Sequence, residues 1–207
     1  MIKLLNQKKL LIFDLDETIY DHQYASLCGL NAIAKTFPLW QSYSLRAIEN
    51  MYFEDLHQTH LKVIDGSISE ESSHLARFQK IASYFKLSFQ PSEYLQMIEI
   101  YNTVSKNSKR AIPNAPETIL SLKNHGFKIA LITNGRTENQ KRKIQLCNIS
   151  TSLDIVLISE EVGIRKPDKE IFELAFELSK THFSEAVMSG DSWDSDIEGA
   201  LAANIKA

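Results

Sequence analysis

The sequence predicts an α/β protein: a doubly wound parallel sheet that carries an inserted all-helical domain. Three observations predict it. Short apolar runs of strand length recur along the chain, each followed at once by polar residues. Helical patterns separate these runs, as right-handed crossovers between parallel strands require. Between the first run and the second lies a long stretch with helical periodicity only. Residues 1–21 and 110–207 are therefore assigned to the α/β core, and 22–109 to the helical insertion.

In chain order, Lys9-Leu10-Leu11-Ile12-Phe13 is an apolar run that ends abruptly in Asp14-Leu15-Asp16, which suits a buried parallel strand. In the insertion, Leu75, Phe78, Ala82 and Phe85 make one apolar stripe. Tyr94, Met97, Ile98 and Tyr101 make another, behind a helix start at Pro91. Ser67-Ile68-Ser69-Glu70 has capping-box spacing and is expected to open the third helix of about four. From Pro116 a helix runs to His125, stopped by Gly126, and a strand follows over 127–132. Then come a helix over 136–146, a strand over 155–158, an amphipathic helix over 168–180, a short strand over 186–188 and a helix from about Asp194.

Composition narrows the function. The 207 residues carry 23 Lys and Arg against 26 Asp and Glu, a net charge of −3, which argues against nucleic acid or anionic lipid as the main partner. With 43% hydrophobic and 24% charged residues the chain is too apolar to be disordered and can bury a sizeable core. It has no run of about 18 apolar residues, so no helical membrane span is expected. Residues 1–9 lack the apolar stretch of a secretory signal, and the expected location is cytoplasmic. Cys28 and Cys147 match no zinc or redox spacing and read as reduced thiols.

In a doubly wound sheet, ligands gather at the carboxyl ends of the strands. Asp14 and Asp16 follow the first strand, Thr133-Asn134-Gly135 the second and Arg165-Lys166-Pro167 the third. Gly190-Asp191-Ser192, with Asp194 and Asp196, follows the fourth. Extended chain would point the Asp14 and Asp16 carboxylates to one side, where they repel unless a cation is near or one holds a proton. Asp191 adds a third carboxylate; such an oxygen-rich, nitrogen-poor set suits Mg²⁺ rather than zinc or copper. Lys166 adds positive charge and Thr133 a hydroxyl, while the backbone N–H groups of Asn134 and Gly135, at a helix start, are expected to form an anion cradle. A phosphoryl group fits this set. Two further clusters read as plain surface. His57 and His60 lack a Cys or carboxylate partner at metal-binding spacing, and Gln140-Lys141-Arg142-Lys143 reads as a solvated helix face.

Asp14-Leu15-Asp16-Glu17-Thr18 resembles the D-x-D-x-T signature of the haloacid dehalogenase-like (HAD) superfamily. Thr133-Asn134-Gly135, Lys166-Pro167 and Gly190-Asp191-Ser192 with Asp196 resemble its second, third and fourth motifs, in order, across nearly the whole chain. The resemblance implies a Rossmann-like core and makes the insertion a helical cap of the C1 type. It implies that Asp14 is a nucleophile forming an aspartyl-phosphate, and that Asp16 is the general acid and later the base. It gives Thr133, Asn134 and Lys166 the phosphoryl oxygens, and gives Mg²⁺ to Asp14, Asp191 and the Asp16 carbonyl, with Thr18, Gly135, Ser192 and Asp196 supporting them. Dehalogenases of the superfamily lack the second aspartate of the signature, so Asp16 favours a phosphatase over a dehalogenase. A phosphomutase, or an inactive binding protein of the same fold, would carry the same motifs. A large cap implies a small phosphorylated metabolite, in the manner of 5′-nucleotidases and phosphoglycolate phosphatases, handled by a monomer or homodimer. Asp16 is expected to begin protonated, its pKa raised by the Asp14 charge. The resemblance would also have the chain continue past Ala207 into a further strand and helix.

Overall fold

A computed structural model describes residues 8–54, 59, 62–63 and 66–207. It divides into two compact units, one joining the segment up to His22 to Arg110–Ala207, the other comprising Gln23–Lys109. The second unit is helical, with α1 at His22–Thr36, α2 at Leu45–Glu54, α3 at Glu70–Tyr84 and α4 at Pro91–Asn107. Leu30, Ile33, Trp40, Phe78, Ile81, Met97 and Tyr101 meet in its core, so the two apolar stripes point inward. Pro91 occupies the first turn of α4, where its missing N–H costs nothing, and the Gln90 N–H donates to Glu93 Oε2 at 2.6 Å. The start of α3 differs from expectation. Ser69, not Ser67, is the cap: its backbone is extended and its Oγ accepts from the Ser72 N–H at 3.0 Å. Gly66, at φ +78°, turns the chain just before, and the Ile68 N–H donates back to the Lys62 carbonyl at 3.2 Å.

The other unit is built on a four-stranded parallel sheet in the order β3-β2-β1-β4, with β1 at Leu10–Phe13, β2 at Lys128–Thr133, β3 at Ile155–Ile158 and β4 at Ala186–Ser189. Helices α5 (Ala115–Asn124), α6 (Thr137–Leu146), α7 (Ser159–Val162), α8 (Lys169–Ser179) and α9 (Glu198–Ala202) surround it, a π-helical turn at Trp193–Ile197 leading into α9. Alternate strand residues face opposite ways. Leu10, Ile12, Ala130, Ile132 and Met188 pack with Phe172 and Ala175 of α8, whereas Leu11, Ile129 and Leu131 pack with Ile119 of α5 and Ile144 of α6. The continuous apolar runs thus belong to strands buried on both faces. At the base of the insertion, Arg110 Nη2 pairs with Asp21 Oδ2 at 2.7 Å, and the Asp21 N–H donates to the Arg110 carbonyl at 3.1 Å. Beyond β4, Val187 and Lys206 form a parallel bridge, with Ile205 buried in the core. The registers Phe13↔Leu131, Phe13↔Ser189 and Thr133↔Ile158 bring the carboxyl ends of all four strands to one edge.

Two local features make the stability of each unit testable. A Cβ on Gly29 of α1 would stand 2.5 Å from Ser105 Oγ and 2.7 Å from Tyr101 Cδ2 of α4. Gly29→Ala gains about 1 kcal/mol of helix propensity but forces an overpacked contact costing about 1–3 kcal/mol. Urea titration should therefore find the variant less stable than the parent; a more stable variant would contradict the close approach. In the sheet unit, Asp154 Oδ2 accepts the Ile129 N–H at 2.8 Å, and its other oxygen is paired with Lys123. Burial raises this carboxyl, but the bonds from Lys123 and Ile129 outweigh it and hold the pKa below its ordinary value. Asp154→Ala should cost about 1–2 kcal/mol near neutral pH. A depressed folded pKa contributes stability above the unfolded value of about 4, lost as pH falls through the folded one. The gap between parent and variant should thus shrink below about pH 4; a gap indifferent to pH would remove the charge from the explanation.

Candidate active site

The site starts where β1 stops. The Asp14 N–H donates to the Ser189 carbonyl at 3.0 Å, carrying the β1–β4 ladder one step further and setting Asp14 beside Gly190. The loop after β3 delivers Lys166 to the same place. Its backbone is clamped by Asn134: the Lys166 N–H donates to Asn134 Oδ1 and the Asn134 Nδ2 donates to the Lys166 carbonyl, both at 2.9 Å. The Lys166 ammonium then donates to Asp14 Oδ1 at 2.5 Å and Asp196 Oδ1 at 2.6 Å. All three groups are buried, at 3%, 6% and 1% exposure respectively. Asp196 is fixed in turn by the Ser192 N–H, which donates to Oδ2 at 3.1 Å, while Ser192 Oγ accepts from the Ser195 N–H. A Cβ at Gly190 would collide with Asp196 Oδ2, so only glycine leaves that carboxylate its place.

Negative charge exceeds positive here. One oxygen from each of Asp14, Asp191 and Asp196 lies within 4.8 Å of the others, around a single ammonium. Burial pushes the Asp14 carboxyl up to about 7; Lys166 opposes this, and the Asp196 and Asp16 charges add to it. Burial and the Asp196 charge likewise raise Asp191. On Lys166, burial works against the charged form, but the two carboxylates outweigh it and raise its pKa. An all-oxygen set with surplus negative charge fits a hard divalent cation such as Mg²⁺. Lys166 and Ser192 engage both oxygens of Asp196, which leaves Asp14 and Asp191 as the side chains to hold the ion.

The Asp16 carboxylate makes its hydrogen bonds on α6, while its charge still acts on Asp14 and Asp191. After Asp14 the chain turns tightly: Glu17 takes φ +59°, and the Ile19 and Tyr20 N–H groups both donate to the Leu15 carbonyl. The Asp16 carboxylate meets α6, where Lys143 Nζ donates to Oδ1 at 2.7 Å and Oδ2 at 2.8 Å, and Gln140 Nε2 donates to Oδ2 at 3.0 Å. Burial alone would raise its pKa, but Lys143, with His22 and the Gln140 hydrogen bond, holds it well below the usual carboxylate range. The expected upward shift is thus reversed, because an ammonium in contact outweighs the Asp14 charge.

Several more residues differ in detail from expectation. Thr133 Oγ1 is buried and accepts from Gln140 Nε2 at 2.6 Å. The Gly135 N–H donates to Ser159 Oγ at 3.0 Å, so it is used within the fold rather than in an anion cradle. The Asn134 side chain serves the Lys166 backbone. Thr18 Oγ1 is buried and has no hydrogen-bond partner. Among the described residues both cysteines are free thiols, and burial pushes Cys147 up to about 11. His57 and His60 lie outside the described residues. Gln140 and Lys143 are the residues that sequence reasoning set aside as a solvated face. Helical phase carried the missing signal: 140, 143, 144 and 147 share one face, and Ile144 and Cys147 on it are apolar. Lys141 and Arg142 point outward and pair with Glu161 and Glu138.

Residues 11–207 match the haloacid dehalogenase-like hydrolase family, and the chain belongs to it. It is 27% identical over 196 residues to a ribulose-1,5-bisphosphate 5-phosphatase of Halopiger xanaduensis, covering 94% of this chain and 81% of that one. It is also 27% identical over 206 residues to a glyceraldehyde 3-phosphate phosphatase of Methanothermobacter thermautotrophicus, covering 96% and 84%. In fold it is similar to the crystal structure of the HAD-hydrolase YfnB from Bacillus subtilis, bound to magnesium, with a TM-score of 0.71 and 22% identity over 96% of this chain and 86% of that one. Among the described residues no helix is long and apolar enough to cross a membrane.

Proposed function

We propose that this hydrolase is a Mg²⁺-dependent phosphatase of small phosphate monoesters, sugar phosphates foremost, working through a phosphoryl group carried on Asp14. The observation that carries the reading is the buried Lys166 bridge, which holds the Asp14 carboxylate in place through Oδ1. The kinship with sugar-phosphate and triose-phosphate phosphatases supports the substrate class. Residues 22–109 are assigned as the cap domain, and 1–21 with 110–207 as the catalytic core, on their place in the sequence.

In the first step the Asp14 carboxylate attacks phosphorus and the bond to the leaving oxygen breaks, its electron pair staying on that oxygen, which takes a proton from Asp16. In the second step water attacks phosphorus and gives a proton to Asp16, and the bond from phosphorus to Asp14 breaks. Bound to Lys143, Asp16 is in the ionised form from which the second step begins; for the first step it must already have taken a proton from solvent. Gln140 donates to Thr133 Oγ1, which leaves the hydroxyl proton to point at a phosphoryl oxygen. Lys166 supplies the fixed positive charge toward the same group. Mg²⁺, held by Asp14 and Asp191 with the Asp16 carbonyl, would neutralise charge on the phosphoryl group and keep Asp14 ionised.

Phosphate release from p-nitrophenyl phosphate and from a panel of sugar phosphates, nucleotides and phosphoglycolate tests this. Activity should vanish with EDTA and return with Mg²⁺; indifference to chelation would remove the metal. Asp14→Asn should retain the parent circular dichroism spectrum and lose at least about 10³-fold in turnover. Hydrolysis at the parent rate would end the covalent mechanism.

A further inference from the structure

We infer that Gln140 and Lys143 are positioning residues that set the pose of the Asp16 carboxylate. The inference rests on the acid–base role proposed for Asp16. Lys143 is not an ordinary surface lysine. Its side chain is only 16% exposed, it contacts both oxygens of one carboxylate, and its ammonium lies 5.3 Å from the centre of the buried Tyr20 ring. The pairs made by Lys141 and Arg142, with roughly half-exposed or more open partners, are of the kind that contribute little. Gln140 is more enclosed still, at 2% exposure. Its Nε2 lies within hydrogen-bond distance of Asp16 Oδ2, Thr133 Oγ1 and the Asn134 carbonyl, at 3.0, 2.6 and 3.2 Å.

One turn of α6 therefore holds two candidate reacting groups and the start of the loop that clamps Lys166. The fit is shaped from the other side too: a Cβ on Gly135 would stand 3.0 Å from Gln140 Cδ. A carboxylate at the end of a tight loop has several rotamers open to it, and proton transfer requires one of them. Lys143 fixes both oxygens and Gln140 fixes the tilt. Neither needs to touch the substrate: Lys143 acts through Asp16, and Gln140 through both Asp16 and Thr133.

A double-mutant cycle on kcat/KM, which reports the steps through the first half-reaction, separates this from a role in phosphate binding. Lys143→Met and Gln140→Leu are each made alone and with Asp16→Asn, and assayed on ribose 5-phosphate and p-nitrophenyl phosphate. Lys143→Met should lose about 10- to 100-fold on the sugar phosphate, and less than about threefold on p-nitrophenyl phosphate, whose leaving group scarcely needs a proton; Gln140→Leu, which also releases Thr133, should lose on both esters and more on the sugar phosphate. Lys143→Arg, which keeps the charge and the donors, should recover most of the loss. With Asp16→Asn already present, Lys143→Met should not lower the rate further. Equal losses on both esters from Lys143→Met, or a loss that multiplies with that of Asp16→Asn, would overturn the inference and give Lys143 a direct role in binding. The two readings fail separately. An Asp14→Asn variant with parent activity sinks the proposed mechanism, whereas an inactive Asp14→Asn beside an additive cycle sinks only this inference.

Discussion

The Lys166 ammonium, buried between Asp14 and Asp196, is the contact on which the rest of the site depends. A buried cation with two buried carboxylates holds only while every partner is in place; removing one typically costs about 3–5 kcal/mol. The surrounding fold can be read as what keeps the partners there. The parallel register of β1 on β4 sets Asp14 next to Gly190. The absent side chain at Gly190 gives Asp196 its room, and the Ser192 N–H fixes its second oxygen. Asn134, at the end of β2, grips the backbone of Lys166 from the loop after β3. All four strand ends converge on one ammonium, which is why the strand order matters more to the chemistry than any single helix.

The two aspartates of the first loop are electrostatically opposite although only Leu15 separates them. Asp14 sits among carboxylates in a buried pocket and is pushed up to about 7 by that burial. Asp16, with a partly exposed side chain, is drawn down by Lys143. Environments that push neighbouring carboxyl groups apart are how one site assigns different roles to identical side chains. The tight turn at Leu15–Tyr20, with Glu17 in the left-handed region, makes the separation geometric as well as electrostatic.

Much of this was legible in the sequence, for identifiable reasons. Leu10–Phe13 and Ile155–Ile158 read as strands because strands covered on both faces have no polar alternation to blur them. The site residues were legible because parallel strands deliver whatever follows them to one edge, so Asp14, Thr133, Lys166 and Asp191 could be grouped by position alone. What failed were inferences about direction. Extended chain does not describe Asp16, because the backbone turns tightly over Leu15–Tyr20. The Ser67 spacing points to a cap, but Ser69 is the residue whose Oγ accepts a helical N–H. The Gly135 amide was given to an anion, but Ser159, on the short helix after β3 that no pattern announced, accepts it. Gln140 and Lys143 were lost inside a basic run because charge was counted and helical phase was not.

The central claim is that Lys166 and the sheet present Asp14 as the residue that carries the phosphoryl group. Borohydride reduction during turnover tests it most directly, since an aspartyl-phosphate is reduced to homoserine whereas a free carboxylate is untouched. Peptide mass spectrometry of the parent enzyme, treated in the presence of substrate, should find homoserine at position 14 and aspartate at 16, and aspartate at both without substrate. Homoserine at another position, or steady turnover with position 14 never modified, would contradict the account.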